Sequence, residues 1–194
     1  MLKTTVSPIA HLWQTTPSAS PALNDWLFDP GSLTQRLTLL CRDNFTVQLL
    51  SQGWQALSDD ECQALGISQA STGWVREELL CDGELPWVFA RSVASQQQLQ
   101  AAGFDISQLG TRSLGELLFH NQAFSRGAMY VRQIPCQQLP ALAQQQASPY
   151  QQLWARRSCF SKGALGLLVA EVFLPKLWQD TDPSLLNTLK PTAC

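Results

Sequence analysis

The run Leu165–Leu174, LGLLVAEVFL, constrains the fold more than any other segment. It is apolar on both alternating faces, the pattern of a strand covered above and below, so it belongs in the middle of a sheet. Its single charge is Glu171. A carboxylate carried into such a place is costly unless something pairs with it. The question the run poses is which cation meets Glu171, and whether that cation is structural or part of a binding site.

Five other β-prone runs precede it: FTVQLL, GWVREELLC, PWVFARSV, AMYVRQI and LWARRSCF. Asp82-Gly83 between the second and third is a strong two-residue hairpin signal, and Lys162-Gly163 before the last run is a weaker one. Helical stretches lie at Pro21–Phe28, after a Ser32 N-cap, at Ser95–Ala102 and at Ser113–His120. The expected fold is therefore α+β: a single domain with a mainly antiparallel six-stranded sheet and flanking helices. Its expected limits are 21–175. Residues 1–20 would form a loosely ordered arm, 135–152 a Gln-rich insertion loop, and 176–194 a peripheral tail.

Composition removes several function classes. Thirteen Lys and Arg against fifteen Asp and Glu give a net charge of −2, and only 14% of the chain is charged; about 25% is usual. No basic excess exists to follow a phosphate backbone, so nucleic acid is not an expected partner. Two His and six scattered Cys without a C-x-x-C make a zinc site improbable, and free thiols in a reducing cytoplasm are expected. The N-terminal MLKTTVSPIAHLW has no signal-peptide core, and no apolar run is long enough to span a bilayer. Gly110-Thr-Arg-Ser113-Leu-Gly115 has the wrong spacing for a nucleophile elbow, and no phosphate-binding glycine loop occurs. A cytoplasmic monomer without cofactor or metal is the expectation.

Hairpin registers place the remaining strand charges. A turn at Asp82-Gly83 sets Arg76 opposite Phe89 and Arg91 opposite Trp74, which puts both arginines on one face. A turn at Lys162-Gly163 sets Glu171 opposite Trp154, with Arg156 diagonal to it on the same face. Two readings follow. In one, Glu171–Arg156 and Arg76–Glu78 are ion pairs internal to the sheet. In the other, the face is a pocket in which arginine forks take a ligand carboxylate and Glu171 takes a hydroxyl. Spacing alone does not separate them.

A set of short motifs, in order, does more. D-W-L at Asp25–Leu27, S-L-T-x-R at Ser32–Arg36, W-V-R-E-E-L-L-C at Trp74–Cys81 and P-W at Pro86–Trp87 come first. L-G-x-x-x-L-G-x-x-L-F at Leu109–Phe119, L-W-x-R-R-S at Leu153–Ser158 and E-V-F-L-P at Glu171–Pro175 follow. Together, over roughly residues 22–175, the chain resembles the chorismate lyase family. The resemblance implies conversion of chorismate to 4-hydroxybenzoate and pyruvate, the first committed step toward ubiquinone, on a compact antiparallel sheet with helices. It assigns Arg76 to the ring carboxylate and Glu171 to the ring hydroxyl. Leu114 aligns with a leucine that contributes backbone at the carboxylate end, and Leu33 stands where the family has a methionine. Arg91 or Arg156 is the candidate for the enolpyruvyl carboxylate. The alternative is an effector-binding domain of the same fold that holds a small aromatic acid without catalysis.

Overall fold

The computed structural model describes residues 13–16, 20–103, 118 and 124–191. Helix α1 (Pro21–Leu27) begins at a Ser20 cap and α2 (Leu33–Cys41) at a Ser32 cap; each cap oxygen accepts a backbone N–H three residues on. Their apolar positions, Leu23, Trp26 and Leu27 in α1 and Leu33, Leu37 and Cys41 in α2, recur at helical spacing and are buried. Strand β1 (Phe45–Ala56) follows, then α3 (Asp59–Leu65), whose Ser58 and Glu61 form a reciprocal capping box. Strands β2 (Thr72–Asp82) and β3 (Leu85–Ser95) form the first hairpin, and α4 (Gln96–Ala102) succeeds them.

The second half contains β4 (Ser125–Arg126), β5 (Tyr130–Pro135), α5 (Ala141–Ala147), β6 (Tyr150–Lys162) and β7 (Leu165–Phe173). Helix α6 (Pro175–Thr181), a 3-10 segment (Pro183–Thr188) and β8 (Lys190–Pro191) complete it. The sheet runs β1-β2-β3-β7-β6, and β4, β5 and β8 share the outer edge of β6. All pairings are antiparallel. The six expected runs are thus six of its strands, and β7, the run with apolar side chains on both faces, is interior as required.

Both hairpin registers differ from expectation. Asp82 stays in the ladder opposite Leu85, so the turn is Gly83-Glu84, with Gly83 at φ 58°. A bulge then follows: Cys81 faces Pro86 but Leu80 faces Val88, leaving Trp87 as the extra residue. Pro86 has no N–H for the ladder, which favours the irregularity there. The result sets Arg76 opposite Ser92 and Arg91 opposite Glu77. In the second hairpin the turn is Gly163-Ala164, and Glu171 faces Arg156 directly.

Three segments also pack more tightly than expected. Gln14 of the N-terminal arm pairs with Val131 through backbone bonds of 2.9 and 2.8 Å. The expected insertion loop holds α5, because Leu139, Ala143 and Ala147 recur every fourth residue and bury one apolar stripe. The expected peripheral tail supplies core: Leu177 and Trp178 of α6 are fully buried. Trp178 lies 5.6 Å from the Trp26 ring and 5.3 Å from that of Phe173. Replacing Trp178 by Ala should therefore destabilise the fold by about 3–5 kcal/mol. A lower urea midpoint at unchanged slope would show it; an unchanged midpoint would return α6 to the periphery.

Candidate active site

One face of the sheet collects the charges that the apolar strands carry. Trp74, Arg76, Glu78 and Leu80 of β2 alternate onto it, beside Ala90 and Ser92 of β3, Glu171 and Val169 of β7, and Arg156 and Ser158 of β6. Arg76 is 2% exposed; its Nε donates to Glu78 Oε2 at 2.7 Å and its Nη1 to Gln52 Oε1, on β1, at 2.9 Å. Arg156 is wholly buried; its Nε donates to Glu171 Oε2 at 2.6 Å. Its Nη1 donates to the carbonyls of Trp26 and Asp29, at 2.7 and 3.3 Å, and Nη2 is buried without a hydrogen-bond partner among the described residues. Both internal ion pairs of the first reading are thus present. They do not exclude the second, because the same groups line or back a cavity.

That cavity, of about 20 Å³, is bounded by Glu78, Ala90, Ser92, Val169 and Glu171 on the sheet. Ser32, Leu33 and Thr34 at the start of α2, together with Leu118, Arg126 and Phe160, complete its walls. Leu33 is thus at the cavity, while Leu114 lies outside the described residues. Arg91 is not at this site. The β2–β3 bulge turns it to the opposite face, where its Nε donates to Glu61 Oε1 at 2.7 Å and its Nη1 to Glu77 Oε1 at 2.8 Å.

Arg126 escaped sequence reasoning because it sits in a two-residue strand, too short to show any period. Its Nε donates to Ser158 Oγ at 2.8 Å, its Nη1 to the carbonyls of Pro30 and Gly31, and its guanidinium lies 5.1 Å over the Phe160 ring. Burial pushes this guanidinium down to about 10, against the opposing charge of Glu171 and with that of Arg156. Burial also raises the Glu78 carboxyl above its ordinary value, with the Arg76 charge and hydrogen bond only partly offsetting it. Among the described residues no group of three or more His, Cys, Asp or Glu is placed to hold a metal ion. No helix among them is long and apolar enough to cross a membrane.

The architecture is a single α+β domain, an antiparallel sheet with flanking helices. A transcriptional regulator of the GntR family from Bacillus cereus superposes with a TM-score of 0.51 at 11% identity, covering 69% of this chain and 93% of that one. The effector binding domain of the Bacillus subtilis trehalose repressor does so with 0.50 at 8% identity, covering 66% and 90%. At such identities the likeness concerns the fold alone. The sequence is more specific: the profile of the chorismate lyase family matches residues 8–182. A "probable chorismate pyruvate-lyase" of Pseudomonas aeruginosa is 56% identical over 161 residues, 83% of this chain and 88% of the relative. One of Pseudomonas putida is 57% identical over 155 residues, 80% and 81% of the two chains. The chain belongs to the chorismate lyase family.

The Arg91 pair on the other face gives a pH signature. Burial disfavours the Glu61 charge, but the bonds and charge of Arg91 and the Ser58 cap outweigh it and hold the carboxyl below its usual 4.5. A depressed folded-state value adds stability above the unfolded value, and that stability is lost as pH falls through the folded one. Glu61→Gln should therefore cost roughly 2 kcal/mol near neutrality. Denaturation curves of the two proteins should converge below pH 4.5; a gap independent of pH would refute the assignment.

Proposed function

We propose that this chain removes pyruvate from chorismate to give 4-hydroxybenzoate, the first committed step toward ubiquinone. The observation that carries the proposal is the placement of Arg76 and Glu171. They share one face, two residues out of step, on either side of β3, whose intervening side chains there are the small Ala90 and Ser92. Strand and residue spacings set their Cα atoms roughly 12 Å apart, and both side chains stand on the same face of the sheet. A six-membered ring with a carboxylate at one end and a hydroxyl at the other suits that span, and the cavity of about 20 Å³ must widen to admit it.

In this reading Arg76 takes the ring carboxylate with its fork. Glu171 spends Oε2 on Arg156 and leaves Oε1 to accept from the C4 hydroxyl. Leu33 covers the ring, and Leu114 serves the carboxylate end through its backbone. The C3–O bond breaks as the C4 hydrogen passes to the enolpyruvyl methylene in a six-membered array. That methylene becomes the methyl of pyruvate, and the ring aromatises. The push lies in the substrate, and the protein's work is positioning and electrostatics, without a cofactor. The enolpyruvyl carboxylate falls to Arg126, which lines the cavity near Glu171, with Arg156 behind it. Arg91 is withdrawn from this role by its place on the other face.

Purified protein incubated with chorismate should release pyruvate and 4-hydroxybenzoate one to one; bound aromatic acid without turnover would favour the effector-type domain. In deuterated water the pyruvate methyl should carry no solvent label under conditions that exclude later exchange. Label there would make Glu171 a general base.

Two substitutions test the anchors. Arg76→Lys keeps the charge and loses the fork, and should weaken 4-hydroxybenzoate binding by about tenfold or more. Arg126→Ala should raise KM for chorismate by about tenfold, the worth of a charge-assisted hydrogen bond. It should leave product affinity nearly unchanged, because the product lacks the second carboxylate. Equal losses for substrate and product would remove Arg126 from the enolpyruvyl end.

A further inference from the structure

The opposite face of the sheet holds a cavity of about 500 Å³, a size typical of small-molecule sites. Protein interiors do not leave a gap of this size in a packed core. Its floor and walls are mainly apolar: Phe89, Ile134, Leu139, Leu168 and Val172. Three arginines also reach it, and two of them are matched. Arg91 has Glu61 and Glu77, and Arg157 Nη1 donates to Asp60 Oδ2 at 2.6 Å.

Arg132 is the third. Its guanidinium lies 4.5 Å over the Trp13 ring, and its Nε is buried with no hydrogen-bond partner among the described residues. Among the described residues no carboxylate pairs with it. Asp60, the acid beside it, has one oxygen taken by Trp13 Nε1 and Arg157, and its Oδ1 is buried without a donor. An arginine that lines a roomy apolar cavity, with no carboxylate bonded to it among the described residues, can offer its fork to an acceptor from outside the chain.

We infer that this cavity binds an apolar monocarboxylate, with the acid on Arg132 and the hydrocarbon along Phe89, Ile134, Leu139 and Val172. The planar fork, 4.5 Å from the centre of the Trp13 ring, matches a carboxylate better than any neutral group. Arg132, which has no carboxylate bonded to it among the described residues, receives the one carboxylate of the ligand, and the apolar walls account for its body. The shared chemistry fits a fused aromatic acid or a medium-chain fatty acid. The site is separated from the Arg76–Glu171 face by the thickness of the sheet and stands independently of the reaction proposed there.

Calorimetric titration with 2-naphthoate and, separately, with decanoate tests this and identifies which body is accepted. At least one of the two should bind once per chain, both to the wild type and to Arg76→Lys. The affinity should fall at least tenfold in Arg132→Gln, while that variant's melting temperature and chorismate turnover stay those of the wild type. Ala170→Leu, which fills the cavity and leaves Arg132 in place, should also lose binding, and guards against misfolding of the first variant. Absence of binding by both acids at millimolar concentration would overturn the inference and leave water as the occupant. So would equal binding by Arg132→Gln, or loss confined to Arg76→Lys, which would place the acid on the other face.

Discussion

The guanidinium of Arg156 is the point on which the architecture turns. It is wholly buried and bridges two layers: Nε to Glu171 across the β6–β7 ladder, Nη1 to the carbonyls of Trp26 and Asp29 at the corner between α1 and α2. Those carbonyls belong to a helix end and a loop, where intrahelical partners run out. A lysine could not make both sets of bonds from one rigid plane. Breaking a buried pair of this kind costs about 3–5 kcal/mol, because the surviving charge stays in the interior. Glu171 is thereby fixed in direction, and the helical corner that roofs the cavity is fixed to the same side chain.

The sheet itself acts as a partition. Successive residues of one strand serve different chemistries: Ala90 floors the small cavity and Arg91 lines the large one; Glu171 and Ala170 divide likewise. Helices α1 and α2 close the first face. The capped end of α3, with Trp13 from the arm, closes the second. The chain's low charge content follows, since most ionic groups of the interior strands are consumed in pairs against these two faces.

Much of this was legible in the sequence. The two-sided apolar run had to be interior, and its lone Glu171 had to find an arginine; an error in the second turn moved Arg156 by one pair along the same face and did no harm. The first hairpin was different. Moving the turn from Asp82-Gly83 to Gly83-Glu84 would also have kept every side chain on its face, but the bulge at Trp87 changes the parity and sends Arg91 through the sheet. Pro86 was the available warning. Arg126 gave none, since a two-residue strand is defined by its partner β6 and not by its own pattern. The tail was misjudged because Pro183 and Pro191 read as breakers, whereas Pro175, at the first turn of α6, starts the helix that seats Trp178.

The close pairing of Arg76 with Glu78 bears on how tightly any acid can be held. In the proposed reaction, a carboxylate arriving at Arg76 competes with one the chain already supplies. Binding strength is then the difference between two similar contacts, one of them made by a Glu78 carboxyl that burial holds above its ordinary value. The reverse step is assisted in the same measure: Glu78 reclaims the arginine as the acid departs. An internal competitor of this sort turns release from the unaided rupture of a buried ion pair into a substitution.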